Sequence, residues 1–411
     1  MAVTILLTNI VLAGRSGTEV VVEQLADGLR RRGHRPVVYA PQLGPLAEAM
    51  RARGHIVTSN PQGLPWRPDV IHAHHTGPAM AALAAHPGVP ALFVCHDATA
   101  PFDSLPRHPR LRRVFAVDER CRARLVGEGL PPAQVALLPN AVDLARIPPR
   151  APLPARPARA LVLTKHAAHL PALRQACAAA GLELAEYGTG PGQMTDLPEA
   201  LFAQADLVFA TARSALEAAA AGAGVVVCDA RGCAGFLTRS RAEAWLPWNL
   251  GAGILAQPTG PAALAAAIAE WSAPEAAAAA ALVRAGSGLE ALLDRLEGIY
   301  RELMAEPLPQ DPMAEAAAVA TFISGWVPHF NLQAPWRPLA EAVGLPAEAL
   351  LDVAPAPEPE PEPEPEPAAA PPPPETGLRA AWRRVVPLAL RRPLHGWRRR
   401  AWAALSPPGG G

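Results

Sequence analysis

Short apolar runs alternate with longer amphipathic stretches over residues 1–150. Residues 3–8 form a compact apolar run that predicts a buried strand, and residues 19–33 carry apolar positions at helical spacing that stop at Gly33. The same alternation continues along this half of the chain at 35–39, 43–53, 55–57, 69–72, 91–95, 113–117, 119–127 and 135–138. Such alternation predicts a parallel sheet that helices cover on both faces.

A second series of strands and helices follows a proline-rich stretch at 148–157, which we interpret as a linker. Its predicted strands are 160–164, 182–186, 206–210 and 224–228, and its predicted helices are 169–180, 197–204, 214–221, 261–271 and 289–304. The expected fold is therefore α/β, with two doubly wound, Rossmann-like domains at 1–150 and 151–305 facing a cleft.

Beyond residue 305 the sequence changes character. A helical extension is predicted at 306–353, with one helix at 313–326, and a Pro/Glu-rich linker at 354–376 has almost nothing to bury, so we expect it to be disordered. The tail at 377–411 is rich in Arg and Trp, and we expect residues 377–405 to bind anionic membrane surfaces without spanning the membrane. A tail without a partner, or one that binds nucleic acid loosely, stays open as an alternative.

The composition and the N-terminal sequence argue against several classes of protein. The 37 basic and 37 acidic residues balance, so charge gives no reason to expect a specific nucleic-acid partner. Five scattered cysteines are typical of reduced, buried thiols. The N-terminus lacks the features of a signal peptide, and no apolar run approaches the roughly 18 residues that a membrane-spanning helix needs. We expect a cytoplasmic protein, with the tail allowing peripheral attachment to the inner face of the membrane.

Candidate site residues in the first half follow predicted strands, where doubly wound folds bind ligands. Gly14 and Gly17 precede a helix and would let an anion approach its N-terminus, although a flexible turn explains them equally well. They do not form the G-x-G-x-x-G fingerprint of nicotinamide enzymes. His96 could hydrogen-bond a hydroxyl or transfer a proton, or serve only structure. The histidines at 72, 74 and 75 lack the accompanying ligands of a zinc site, so we expect no metal.

The second half offers sharper candidates. Lys165 directly follows a predicted strand and could neutralise a diphosphate. Gly188 and Gly190 follow the next strand and would admit a ribose or phosphate. Arg213 begins a predicted helix that contains Glu217. That carboxylate could accept two ribose hydroxyl hydrogen bonds, or it could complete a capping box with Ser214 as N-cap.

Together these stretches resemble glycosyltransferase family 4, whose members have the GT-B fold. The resemblance covers roughly residues 1–300 and is carried by 14–19, 69–75, His96, 138–143, 188–191 and 216–227. It implies that Glu217 matches the second glutamate of the family's E-x7-E motif, which holds the nucleotide ribose. It also places Lys165 among the phosphate contacts and His96 near the sugar and acceptor. The first glutamate would fall at Phe209, which leaves the donor sugar and the stereochemical outcome open.

The resulting hypothesis is a metal-independent, hexosyltransferase-type glycosyltransferase that uses a nucleotide diphosphate sugar as donor substrate and needs no cofactor. His96, Lys165 and Arg213 are its candidate catalytic residues, and Gly14, Gly17, Lys165, Gly188, Gly190 and Glu217 are its candidate donor-binding residues. A saccharide or lipid-linked acceptor is expected, in envelope polysaccharide or glycolipid synthesis. A nucleotide-sugar 2-epimerase of the same fold and a non-catalytic sugar-binding or assembly protein stay open as alternatives.

Overall fold

The structure is a computed structural model that describes residues 2–193 and 198–326. The predicted Pro/Glu-rich linker at 354–376, the basic tail at 377–411 and residues 327–353 of the helical extension lie outside the described residues. The membrane contacts expected of the tail therefore stay a prediction.

The first half of the chain forms a sheet of seven parallel strands in the order β5-β3-β1-β6-β7-β8-β9, counted within the described residues. The elements of this half are β1 (Thr4–Thr8), β2 (Val11–Leu12), α1 (Gly17–Arg31), β3 (Arg35–Tyr39), β4 (Gln42–Leu43), α2 (Pro45–Ala52), β5 (Ile56–Thr58), β6 (Val70–His74), α3 (Thr76–Ala85), β7 (Ala91–Cys95), β8 (Leu111–Ala116), α4 (Glu119–Gly127) and β9 (Val135–Leu137). Strands β2 and β4 pair separately. All five residues of β1 are buried, as expected for a strand that helices cover on both faces.

The second half forms a smaller sheet of five strands, again within the described residues, in the order β11-β10-β12-β13-β14. Its elements are β10 (Arg159–Leu163), α5 (Leu170–Ala179), β11 (Glu183–Tyr187), α6 (Pro198–Gln204), β12 (Leu207–Ala210), α7 (Ala212–Ala221), β13 (Gly224–Asp229), β14 (Gly232–Phe236), α8 (Arg239–Trp245), α9 (Pro261–Ala269), α10 (Ala273–Gly286), α11 (Leu289–Ala305) and α12 (Pro312–Trp326). The first four strands are parallel, whereas β14, which we did not predict, runs antiparallel to β13.

Helix α11 packs in the core of the first sheet, although its place in the sequence lies within the predicted domain at 151–305. Its buried side chains lie on one face and belong to the core built around β1 and β6; they are Leu289, Leu293, Leu296, Tyr300 and Leu303. Gly28 on α1 permits the contact, because a Cβ at that position would lie 2.6 Å from a methyl carbon of Leu293. The chain thus returns from the second sheet to the first.

Helix α12 also docks on the first half of the chain. Its Glu315 forms an ion pair with the fully buried Arg110, at 3.0 Å between carboxylate oxygen and Nε. The Arg110 guanidinium also donates to the carbonyl oxygens of His86, at 2.7 Å, and Val89, at 2.8 Å. No helix among the described residues has the length and apolar character needed to cross a membrane.

Candidate functional site

A narrow pocket between the two halves of the chain brings together charged residues from both, and we call it the interdomain pocket. Its volume is about 20 Å³, and it is lined by Arg15, Val20, Gln24, Asp143, Arg146, Ile147, Glu199, Arg213 and Glu217. Arg15 belongs to the loop before α1, whereas Arg213 and Glu217 belong to α7, which follows β12. The pocket therefore joins the predicted glycine loop of the first domain to the predicted ribose-binding helix of the second.

Glu217 is the most deeply placed carboxylate of this pocket. It is 4% exposed, its Oε1 accepts a hydrogen bond from Arg213, and its Oε2 is buried without a hydrogen-bond partner among the described residues. Burial raises the pKa of Glu217, and the neighbouring Arg213 opposes that shift. One carboxylate oxygen is thus left without a partner, while the other is bound by Arg213.

The predicted capping box at this helix is wrong. Helix α7 starts at Ala212 with Thr211 as N-cap, so Ser214 lies inside the helix and Glu217 caps nothing. The early start depends on Ala212, whose φ of 51° is left-handed and whose N–H donates to the carbonyl oxygen of Leu250 at 2.8 Å. A left-handed alanine costs roughly 1 kcal/mol, a strain that clusters at functional sites.

Two arginines of the interdomain pocket were not among the predicted site residues. Arg146 pairs with Glu199 at 2.9 Å, and Arg15 lies 3.4 Å from the buried Glu23. Arg146 lies three positions after the motif at 138–143, and Arg15 lies between Gly14 and Gly17. Their positions beside these motifs were the only sign in the sequence of a role in the site.

The loop that contains Gly14 is held by a buried carboxylate. Glu19 on α1 accepts hydrogen bonds from the backbone N–H groups of Ala13, Gly14 and Ser16, each at 2.8 Å. Burial alone would raise the pKa of Glu19, but the hydrogen bonds from Ser16 and from these backbone groups hold it below its ordinary value. The N–H of Gly14 is therefore already used, and the N-terminal turn of α1, which begins at Gly17, is the part of this loop left to face an anion.

The loop that contains Lys165 packs against the loop that contains Gly188 and Gly190. A Cβ at Gly188 would lie 2.1 Å from the carbonyl oxygen of Thr164, and one at Gly190 would lie 2.7 Å from the carbonyl carbon of His166. Both glycines thus let the loop after β11 pack on the backbone of the loop after β10. The Lys165 side chain is exposed.

Three histidines line a second small pocket, which we call the histidine pocket. His74 Nδ1 lies 2.7 Å from His96 Nε2, and His72 Nδ1 lies 2.7 Å from the hydroxyl of Tyr300 on α11. Burial lowers the pKa of His72 to about 3 and that of His96 to about 4. The same pocket is lined by Gln24, which also lines the interdomain pocket, so the two are adjacent.

Next to this cluster, His75 has a left-handed backbone with φ of 63° at the end of β6. Its Nδ1 lies 3.1 Å from the buried Asp103, and its Nε2 lies 3.3 Å from the hydroxyl of Thr18. Within the described residues, no three His, Cys, Asp or Glu side chains are grouped so that they could hold a metal ion. The hydrogen bonds among these residues, rather than metal binding, are what the cluster shows.

The predicted site residues thus fall into three groups. The Gly14–Gly17 loop meets Arg213 and Glu217 through Arg15, His96 lies in the adjoining histidine pocket, and Lys165 with Gly188 and Gly190 forms a separate loop cluster after β10 and β11. The position that corresponds to the family's first glutamate, Phe209, is fully buried in β12. It contributes nothing to either pocket.

Comparisons with known proteins concern the family and the fold. Residues 62–146 match the family model described as Glycosyltransferase Family 4, which confirms the resemblance over that stretch. A glycosyltransferase from Rickettsia africae ESF-5 is similar in structure, with 14% identity, a TM-score of 0.51 and coverage of 74% of this chain and 100% of that chain. Anabaena Alr3699/HepE in complex with UDP-glucose is similar with 14% identity, a TM-score of 0.54 and coverage of 73% and 100%. No curated protein sequence matches the chain.

Proposed function

From the glycosyltransferase-like GT-B fold and the family 4 match, we propose that this chain transfers a sugar from a nucleotide diphosphate sugar to an acceptor hydroxyl. The observation that carries the proposal is Glu217, a buried carboxylate in the interdomain pocket with one oxygen unpaired. Such an oxygen accepts a hydrogen bond from a ligand hydroxyl, and a nucleotide ribose offers two adjacent hydroxyls. The UDP-glucose in the similar HepE structure supports a donor of this class.

The other residues take roles that follow from their charge. Arg213 holds Glu217 in place. Arg213 follows β12 and the exposed Lys165 follows β10, and because these neighbouring strands are parallel, both cations lie at the carboxyl edge of the second sheet. During transfer, the bond between the anomeric carbon and the diphosphate oxygen breaks, and the nucleoside diphosphate leaves with the electron pair. The acceptor oxygen bonds to the anomeric carbon, and its proton passes to an oxygen of the departing diphosphate. Cations fixed near the departing diphosphate lower the energy of this step because they meet charge as it develops.

The acceptor side belongs to the first half of the chain. A cavity of about 810 Å³ lies between the loop that follows β7 and helix α12, with Thr76, the neighbour of His75, at its wall. Its other described walls are mainly apolar, including Leu105, Pro106 and Ala318. Such a lining suits an acceptor with an apolar portion, which supports a lipid-linked acceptor in envelope polysaccharide or glycolipid synthesis. That role would place the protein in the cytoplasm, at the inner face of the membrane.

A thermal-shift screen of UDP, GDP, ADP and their glucose conjugates tests the proposal. A ligand at about 100 times its Kd adds roughly 2.7 kcal/mol to the free energy of unfolding, which raises Tm measurably. We expect one nucleotide diphosphate to raise Tm. We also expect the corresponding nucleotide sugar to be consumed, with release of that nucleotide diphosphate, when an acceptor is added. Conversion of that sugar to its C2 epimer would instead favour the epimerase. Binding without turnover against any acceptor would favour a non-catalytic protein, and no shift with any nucleotide would contradict the proposal.

A further inference from the structure

Two histidines of the histidine pocket share a single hydrogen bond. His74 Nδ1 and His96 Nε2 are 2.7 Å apart, a distance that requires one ring nitrogen to donate its N–H to the lone pair of the other. His74 is the inner residue of this pair, since it ends β6 and is 1% exposed. His96 follows β7 and is partly exposed, so it is the residue that can reach a ligand. The direction of this bond decides which atom His96 presents to a ligand.

Both rings are neutral at physiological pH. Burial lowers the pKa of His96 to about 4, with the nearby His75 acting in the same direction and Asp103 opposing it. Burial also lowers the pKa of His74 well below its ordinary value, and the adjacent His72 and His96 add to that effect. Each ring therefore carries one N–H and one lone pair.

The second nitrogen of His74 shows which ring donates. His74 Nε2 is buried and has no hydrogen-bond partner among the described residues, and the ring stacks on His72 with centroids 4.7 Å apart. A proton on Nε2 would be a buried N–H without an acceptor, which is rarer and costlier than an unused lone pair. The proton of His74 therefore belongs on Nδ1, where it points at His96.

We infer that His74 is a positioning residue that holds His96 in the Nδ1–H tautomer, so that His96 offers its ligand an N–H donor and no lone pair. His96 Nε2 is occupied as the acceptor of the His74 bond, and Nδ1 is the ring atom with no partner among the described residues. The inference about the ligand rests on the proposed function, whereas the tautomer itself does not.

This arrangement distinguishes the two roles considered for His96. An N–H at Nδ1 donates to an oxygen of the donor sugar or of the acceptor. The ring can take a proton from the acceptor hydroxyl only by becoming a cation, which the lowered pKa of His96 disfavours. His96 thus orients a substrate oxygen, and the hydroxyl proton goes to another base, for which the oxygens of the departing diphosphate have the required charge.

Nuclear magnetic resonance of the full chain with 15N-labelled histidine tests the inference directly. Two-bond correlations between ring protons and ring nitrogens identify which nitrogen carries the proton. Two variants whose side chains have the same number and branching of heavy atoms complete the test: His74→Asn keeps an N–H close to the position of Nδ1, and His74→Leu removes it. The spectrum of the unsubstituted chain decides the tautomer even if a variant folds poorly.

We expect His96 to carry its proton on Nδ1 in the unsubstituted chain and in His74→Asn. In His74→Leu, the proton should move to Nε2, which an imidazole without a partner prefers. A proton on Nε2 of His96 in the unsubstituted chain, or an unchanged tautomer in His74→Leu, would overturn the inference.

Turnover separates this inference from the proposed function. If the chain transfers sugar, His74→Leu should lower kcat about tenfold, equivalent to about 1.4 kcal/mol, and His74→Asn should restore most of it. Equal kcat in all three proteins would overturn the role of the tautomer in catalysis. If no nucleotide sugar reacts while His96 still carries its proton on Nδ1, the proposed function fails and the assignment of His74 stands.

Discussion

Arg213 and Glu217 form an ion pair one helical turn apart on α7, with only 15% and 5% of their side chains exposed. A second pair with the same spacing, Arg239 and Glu243 on α8, has 64% and 54% of its side chains exposed. The two pairs share residue types and helical geometry but differ in burial. Comparing them therefore shows how much a charged pair contributes to the free energy of unfolding inside the interdomain pocket and at the surface.

Removing the cation of the buried pair should destabilise the chain strongly. Arg213→Met leaves Glu217 as a buried carboxylate without its partner, so we expect the free energy of unfolding to fall by about 3 kcal/mol. Arg239→Met should cost less than about 1 kcal/mol because water screens the exposed pair. Urea unfolding measures both.

The double variant Arg213→Met with Glu217→Gln checks the cause. It leaves no unpaired charge, so it should recover much of the stability that the single Arg213 variant loses. Equal small losses for Arg213→Met and Arg239→Met would contradict the account of Glu217 as a buried, arginine-supported carboxylate.

Acid should destabilise the chain through the histidine pocket. The pKa of His72 is lowered by burial to about 3 and that of His96 to about 4, both below the ordinary value of 6.5. Below pH 6.5 the unfolded chain therefore binds more protons than the folded chain does. The stability that the two neutral histidines provide is complete above pH 6.5 and is lost as the pH falls toward their folded-state pKa values. Each such histidine contributes up to about 1.4 kcal/mol per pH unit.

Urea unfolding at several pH values between neutral and mildly acidic measures this slope. His72→Asn keeps a polar partner for the Tyr300 hydroxyl but removes one titrating group, so its slope should be shallower than that of the unsubstituted chain. A stability that does not change over this range would contradict the assignment of the cluster as buried and neutral.

The loop cluster at Lys165 depends on Gly188. Gly188 has φ of 112°, and a Cβ there would lie 2.1 Å from a backbone oxygen, so Gly188→Ala should cost at least about 2 kcal/mol. Gly298→Ala is the control, since this helical glycine has open space around it and alanine should stabilise the helix by about 0.5 to 1 kcal/mol. Thermal unfolding compares the two, and a Gly188→Ala protein as stable as Gly298→Ala would refute the packing of these loops.

The basic tail makes a separate prediction about membranes. Residues 379–400 carry eight arginines and no acidic residue, and each basic residue near an anionic surface contributes about 1 kcal/mol. The full chain should therefore sediment with anionic vesicles, whereas a version that ends at residue 353 should stay in solution. If the two forms sediment equally, the tail has no membrane role.

The hydrophobic pattern predicted most of the fold because strands and helices leave different periods in the sequence. It located all the parallel strands of the larger sheet, and the motifs predicted the resemblance to glycosyltransferase family 4 that the family model matches over residues 62–146. It did not show where α11 packs, since the stripe from Leu289 to Leu303 could cover either sheet. The close approach of Leu293 on α11 to Gly28 on α1 shows that the helix covers the first sheet, and this contact exists only once both helices are in place.

The candidate site was predicted in part for a similar reason. Glu217 stood out by its motif, but the start of α7 depends on a left-handed Ala212 held by Leu250, a residue 38 positions away in the chain. Arg15 and Arg146 belong to the interdomain pocket because the two halves meet there, a relationship that neither local pattern contains. Short motifs thus identified single residues, and the tertiary contacts decided which of them share a pocket.

Titration calorimetry of Glu217→Gln tests the central claim most directly. The substitution keeps the size of the side chain and removes the charge and an acceptor oxygen, and Glu243→Gln on the exposed face of α8 is its control. We predict that the unsubstituted chain and Glu243→Gln bind the same nucleotide diphosphate with equal Kd, and that Glu217→Gln binds it at least about tenfold more weakly, a loss of about 1.4 kcal/mol. An unchanged Kd for Glu217→Gln, in a protein that still folds, would contradict the assignment of Glu217 as the residue that binds the nucleotide ribose.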